Sequence, residues 1–297
     1  MRGQGGLRVR GVMGYLHINN LYKDQRIFLF RECYALEKVH GTSAHIMWKA
    51  ETGSLTFFSG GASHDLFTKL FDTAALSAGF AALGHAEVLV YGEAHGGSQQ
   101  GMKSTYGDAL RFIVFDVLIG ESWLSVPDME QVAIGLGLEV VPYRKVLADL
   151  GVLNAERDQP SEVAVRRGCG EKPREGVVLR PLVELHTNNG ERVIAKHKGE
   201  AFEERKTPQK VVDSTKLAVL ADANAIAEEW VTPMRLAHVL DKMSDAGIEQ
   251  TRDVIVAMVE DVRREAKGEI VESREAMSAI GRRTAQLFKA RLQSALK

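Results

Sequence analysis

The chain has 297 residues, 45% of them hydrophobic and 26% charged, with a formal net charge of −1 at pH 7. That content can bury a sizeable core in one large or two modest domains, and the balanced charge gives no global argument for a nucleic-acid partner. Nothing resembles a signal peptide or an apolar run of about 18 residues, so secretion and membrane spanning are not indicated and a cytoplasmic setting is expected. Two cysteines, Cys33 and Cys169, are too few for a disulfide framework or a four-thiolate zinc site.

Residues 1–12 are rich in Gly and Arg, carry no hydrophobic period and precede a start-like Met13. Both ends are basic: residues 1–31 hold Arg2, Arg8, Arg10, Lys23, Arg26 and Arg31 against Asp24, and residues 281–297 hold five cations and no acid. Such clusters either neutralise phosphates or form a solvated surface. Short apolar and β-branched runs at 27–36, 43–49, 54–58, 86–92, 110–118, 176–183 and 192–197 predict strands, broken by a helical segment near 64–83. The charged, Gly-containing stretch 157–173 reads as a loop. After Lys206 the period becomes helical, with Thr232 as N-cap, Pro233 at the first helical position and Gly247 just beyond the end, then amphipathic stretches over 249–267 and 274–296. The fold class expected is therefore α+β: an antiparallel-sheet domain over 13–210, then a small all-α domain over 211–297.

Chemistry concentrates in the first part. Leu36-Glu37-Lys38-Val39-His40-Gly41-Thr42-Ser43 sets one lysine between a β-prone run and a small polar turn, and a second Lys-x-x-Gly occurs at Lys196–Gly199. Lys38 is the candidate nucleophile; a solvated surface lysine is the plain alternative. Lys196 and Lys198 are spaced i, i+2, so both side chains fall on one face of a strand, as a two-lysine phosphate clamp requires. Glu93 and Glu175 each sit beside glycine at the end of an apolar strand, where a carboxylate can project into a cleft; exposed strand-end glutamates are the alternative. Alternation puts Phe115 on the face opposite Phe112, so one enters the core while the other lines a cleft.

The order of Lys38-Val39-His40-Gly41, Tyr91-Gly92-Glu93, Phe112 to Asp116, Glu175-Gly176-Val177-Val178 and Ala195-Lys196-His197-Lys198 resembles the covalent nucleotidyltransferases. The Lys-Val-His-Gly-Thr form is similar to the RNA ligase 2 family of ATP-dependent enzymes, and from Leu217 onward the helical tail is similar to that family's C-terminal domain. The resemblance implies an ATP-dependent RNA ligase of the cytoplasm, acting as a monomer on RNA with 3′-OH and 5′-phosphate ends, nicked or duplexed. ATP would adenylate Lys38, with Mg2+ or Mn2+ held by Glu93 and Glu175, hard oxygen ligands suited to such ions. A lysine attacks only when unprotonated, and its ordinary pKa is near 10.4; Lys196 and Lys198 are expected to supply the cationic field that lowers it. The resemblance further gives Lys38, Lys196 and Lys198 catalytic roles. It assigns nucleotide contacts to Glu37, His40, Gly41, Glu93, Phe115 (stacking on adenine), Asp116 and Glu175. The C-terminal helices, rich in Arg282, Arg283, Lys289 and Arg291, would hold RNA. One departure is visible: the family's arginine after the first motif has no counterpart in Leu55 to Gly61, so Gly60-Gly61 amides or His64 are expected to receive a 5′-phosphate. The alternatives are a DNA-joining or capping-type nucleotidyltransferase, and an RNA-end-binding protein without turnover.

Overall fold

The computed structural model describes residues 14–206, 221–243 and 246–295; the basic opening, Met13, Leu217 and the expected 210/211 boundary lie outside them. In chain order the first half forms β1 (Asn19–Asn20), β2 (Glu32–Lys38), β3 (Thr42–Lys49), β4 (Ser54–Phe58), α1 (His64–Thr68), α2 (Thr73–Ala82), β5 (Glu87–His95), α3 (Lys103–Tyr106), β6 (Arg111–Ile119) and β7 (Ser122–Trp123). The chain continues with α4 (Val126–Gly135), β8 (Tyr143–Leu147), α5 (Leu150–Arg157), α6 (Glu162–Arg166), β9 (Gly176–Pro181) and β10 (Ala195–Lys198). Helices α7 (Ala223–Trp230), α8 (Pro233–Asp241), α9 (Thr251–Glu265) and α10 (Arg274–Ala295) close it.

Among the described residues the strands make two five-stranded sheets, ordered β1-β10-β9-β2-β8 and β4-β3-β5-β6-β7. All pairings are antiparallel except β1 with β10, which is parallel. The sheets share a core of Leu36, Ile46, Trp48, Phe67, Phe80, Val90, Ile113 and Met129, while Cys33, Ala35, Val177 and Leu179 pack a second cluster. Alternation along β2 thus gives its two faces different jobs. Because β2 belongs to one sheet and β3 to the other, Val39 to Gly41 is where the chain crosses between them. The crossing demands glycine: a Cβ at Gly41 would stand 2.2 Å from the Ala94 carbonyl oxygen.

Several sequence expectations are corrected. Residues 26–29 form a short 3-10 turn rather than strand, because the Asp24 carboxylate accepts from the Arg26 amide (3.2 Å) and from its guanidinium. The expected loop 157–173 contains α6, whose N-cap Ser161 accepts from the Ala164 amide (3.0 Å). A five-residue helix is too short to show a period. Strand β8 and helices α4 and α5 were not anticipated either. Thr232 caps α8 as expected, accepting from the Arg235 amide at 3.2 Å, but the helix ends at Asp241 and Gly247 instead precedes the 3-10 turn Ile248–Gln250.

Helices α7 to α10 bury their own cluster of Ile226, Trp230, Leu236, Val254, Met258, Val262, Ile280 and Phe288. No helix among the described residues is long and apolar enough to cross a membrane. The bundle is joined to the sheets through charge. Glu269 receives the Tyr22 hydroxyl (3.0 Å) and the ammonium of Lys23 (2.8 Å), and with Glu229 (2.9 Å) it also holds Arg205. The Arg205 guanidinium lies 4.7 Å from the Trp230 ring centre. Arg205→Ala should therefore lower stability by roughly 3 kcal/mol, because Glu229 and Glu269 each lose one ion-pair partner at a buried junction. Urea unfolding measures this; a loss under about 0.5 kcal/mol, the scale of a surface change, would show that the junction carries no weight.

Candidate active site

The register of β2, β9 and β10 assembles the site. Lys38 pairs with Gly176, and Gly176 pairs with Lys198, so the two lysines flank the strand that follows Glu175. Gly176 has φ +149°, and a Cβ there would meet the His197 carbonyl oxygen at 2.2 Å; only glycine lets the chain turn Glu175 into this gap. The Glu175 carboxylate, 1% exposed, then serves three groups: Oε2 takes Lys38 Nζ (2.9 Å) and His40 Nδ1 (3.1 Å), and Oε1 takes Lys198 Nζ (3.1 Å). Burial works to raise its pKa, but Lys38, Lys198 and His40 together hold it well below the usual carboxylate range.

Glu93, on β5 in the opposing sheet, behaves in the opposite way. Its Oε1 accepts from the Gly41 amide (2.9 Å). Burial, reinforced by the negative charge of Glu175 and opposed by Lys38, pushes its pKa up to about 8. Two carboxylates with environments this different face one cavity, which marks a functional site more than a packed core.

The cavity, of about 530 Å3, is lined by Lys38 to Ser43, Glu93, Phe115, Glu175 and Lys196. Leu36, Val141 and Val178 furnish an apolar end. Phe112 packs into the core, 5.4 Å from Phe67 between ring centres, whereas Phe115 lines the cavity, as the alternation predicts. The cause is more local than alternation: Tyr91 pairs with Asp116 and Gly92 with Val114, leaving Phe115 unpaired in a β-bulge that re-aims it. Tyr15 meets the Phe115 ring edge-on at 4.8 Å.

Other candidates take roles the sequence did not foresee. The Glu37 carboxylate is spoken for: it accepts from the Ser161 hydroxyl and the Glu162 amide (2.9 Å) at the start of α6, and Arg174 lies 3.7 Å away. Any nucleotide contact by Glu37 falls to its main chain. Asp116 is fully buried, receiving Tyr15 Oη (2.6 Å), Arg180 (3.1 Å) and Arg192 (2.6 Å), so it braces the wall behind Phe115. The Gly61 amide donates to Thr42 Oγ1 (2.8 Å) and is already engaged, Gly60 lines the cavity, and His64 is exposed outside the cavity lining.

The two clamp lysines also separate. Lys196 lines the cavity and pairs with Glu265 of α9 (3.2 Å), while Lys198 turns to Glu175 and Glu204. Burial lowers the Lys196 pKa, whereas Glu204 and Glu175 overcome burial and raise that of Lys198. The nearest charge to Lys38 is thus the Glu175 anion, where the sequence argument expected cations. His238, Lys242, Arg264 and Glu265 of the helical bundle also line this cavity. Nothing in their helical period or charge signals it, since the contact is purely tertiary. Tyr15, just after Met13, was missed as well; an aromatic beside Leu16 and Ile18 was its one trace.

No cluster of three or more metal-ligating side chains forms among the described residues. Glu93 and Glu175 are both carboxylates that line the cavity, and oxygen donors are the type that suits a magnesium-type ion.

A family model described as RNA ligase matches residues 31–198. No curated protein matches the sequence. Among solved structures, an RNA ligase variant of Naegleria gruberi with ATP and Mn superposes with a TM-score of 0.50 at 15% identity, covering 64% of this chain and 57% of that one. The same organism's RNA ligase with PPi gives 0.49 at 14% identity, covering 68% and 62%. At 15% identity the first of these likenesses shows the fold alone. The chain spans less than two thirds of the length of those ligases.

Glu93 gives a pH test. Its folded value, about 8, lies above its ordinary 4.5, so the native state holds the extra proton between those limits. Stability is fully present below the lower value and is lost as pH rises through the upper. Glu93→Gln, free of this burden, should gain stability over the parent as pH climbs from 4.5 to about 8 in metal-free buffer, the gain levelling above that. Thermal melts across pH check it; a constant difference would contradict the assignment.

Proposed function

The chain belongs to the RNA ligase family, and from that premise we propose that it is an ATP-dependent enzyme joining RNA 3′-OH and 5′-phosphate ends through adenylated Lys38. The observation that carries the reading is the shared Glu175 carboxylate, which holds Lys38, His40 and Lys198 together, with Lys38, His40 and Glu175 lining a cavity that Leu36, Val141 and Val178 also line. On this reading the Lys38 amine attacks the α-phosphorus of ATP. A nitrogen–phosphorus bond forms, the bond to the departing pyrophosphate breaks, and AMP passes to an RNA 5′-phosphate before the 3′-hydroxyl displaces it. Phe115 would stack on the base, and Gly41 and His40 would border the sugar and α-phosphate.

Glu175 is the present partner of the Lys38 amine (2.9 Å). Glu93 and Glu175 would hold a divalent cation, Mg2+ or Mn2+, whose charge offsets the phosphates. Lys196, whose pKa burial lowers but whose Glu265 partner keeps a charge beside it, is the clamp residue facing the cavity. The division into a 13–210 adenylation domain and a 211–297 helical domain belongs to this proposal, supported by the separate core of α7 to α10.

The experiment is sealing of a nicked duplex whose 5′-phosphate strand is RNA, with ATP and Mg2+, against a DNA nick of the same sequence. The RNA nick should be sealed by the parent and not by Lys38→Ala. Binding without sealing would instead favour an RNA-end-binding protein, and preferential sealing of DNA the DNA-joining alternative. Lys196→Ala should slow adenylation at saturating ATP about a hundredfold, the effect of losing roughly 3 kcal/mol from a preorganised cation. An unchanged single-turnover rate would remove Lys196 from the phosphate clamp.

A further inference from the structure

The cavity wall opposite the sheets is built by the helical bundle, and it carries two half-exposed cations. Asp261, buried, serves Arg235 (2.6 Å, through Oδ2) as well as Lys242 (3.8 Å) and Arg264 through Oδ1. Glu265 serves Lys196 (3.2 Å) and His17 (3.3 Å), and lies 3.8 Å from Arg264 Nε. Arg235 also meets Glu204 (3.7 Å), while Lys242 and Arg264 share one oxygen of Asp261 with each other and not with Arg235. Arg235 is buried, but Lys242 and Arg264 keep 49% and 46% of their side chains exposed, and both line the cavity. These two are the bundle's cations that can reach a ligand.

The fold brings them there by a close approach. A Cβ at Gly61 would stand 1.9 Å from the Asp241 carbonyl oxygen, so the end of α8, with Lys242 next in the chain, rests directly on the Gly60-Gly61 turn. That turn supplies no cation of its own, and its Gly61 amide is already given to Thr42. The bundle thus furnishes charge where the Gly60-Gly61 turn has none.

We infer that Lys242 and Arg264 form a phosphate-binding subsite on the helical side of the cavity, receiving either the polyphosphate tail of the nucleotide or the terminal phosphate of an RNA strand. The inference rests on the nucleotidyl-transfer reading for its choice of ligand. Both donors are cationic, and charge-assisted hydrogen bonds to phosphate are the strong ones. Glu265, 3.2 Å from Lys196 and 3.8 Å from Arg264, offsets the mutual repulsion of the two cations.

Isothermal titration of inorganic pyrophosphate and of a 5′-phosphorylated ribodinucleotide tests this without any turnover. With K242A and with K242A/R264A, affinity for at least one probe should fall about tenfold or more, the scale of a lost charge-assisted bond, and K242R/R264K should recover it. Loss for pyrophosphate assigns the subsite to the nucleotide tail; loss for the dinucleotide assigns it to the RNA end. Equal affinities in parent and alanine variants, or no binding of either probe by the parent, would overturn the subsite. K242A alone keeps the test sound if the double variant fails to fold, since Lys242 is half exposed and its one ion pair is long. A protein that bound pyrophosphate through these side chains yet never labelled Lys38 would overturn the ligase reading and leave the subsite standing.

Discussion

One buried carboxylate organises this protein. Glu175 is nearly inaccessible, yet it is shared by Lys38, His40 and Lys198 from three separate segments. A charge so placed is tolerable only when paired, so β2, the crossing turn and β10 must all arrive in register around it. Gly176 permits the turn and Gly41 the crossing, and each fails sterically with any side chain. The same convergence that satisfies the carboxylate brings Lys38, His40 and Lys198 together.

Much of this was legible because the chemistry travels in short segments. The order of Lys38, Glu93, Glu175, Lys196 and Lys198 along the chain, each at the end of an apolar run, sufficed to bring these residues into one site, and the strands bearing them were readable from period alone. What was not legible depends on contacts distant in sequence. The Glu37 carboxylate is captured by a helix too short to have a period, and Asp116 by two arginines on and after β9. The aim of Phe115 depends on a bulge that strand alternation cannot express. The pattern alone led to cations from Lys196 and Lys198 beside Lys38, whereas Glu175 stands between Lys198 and Lys38 and Lys196 pairs with Glu265.

The helical bundle changes meaning most. By sequence it is a tail whose cations face RNA; in the structure it reaches the cavity with Lys242, Arg264 and Glu265, and ties to the sheets through Glu269, Arg205 and Lys23. The cavity is lined by both parts of the chain at once, and the Lys196–Glu265 pair spans them.

The central claim is that Lys38, of the two Lys-x-x-Gly lysines, is the residue that becomes adenylated. Incubation with ATP and Mg2+, digestion, and mass spectrometry under conditions that preserve phosphoramide bonds locates the adduct directly. The account predicts AMP on the peptide carrying Lys38 and none on the peptide carrying Lys196. An adduct on Lys196, or none on a folded protein that binds ATP, would contradict it.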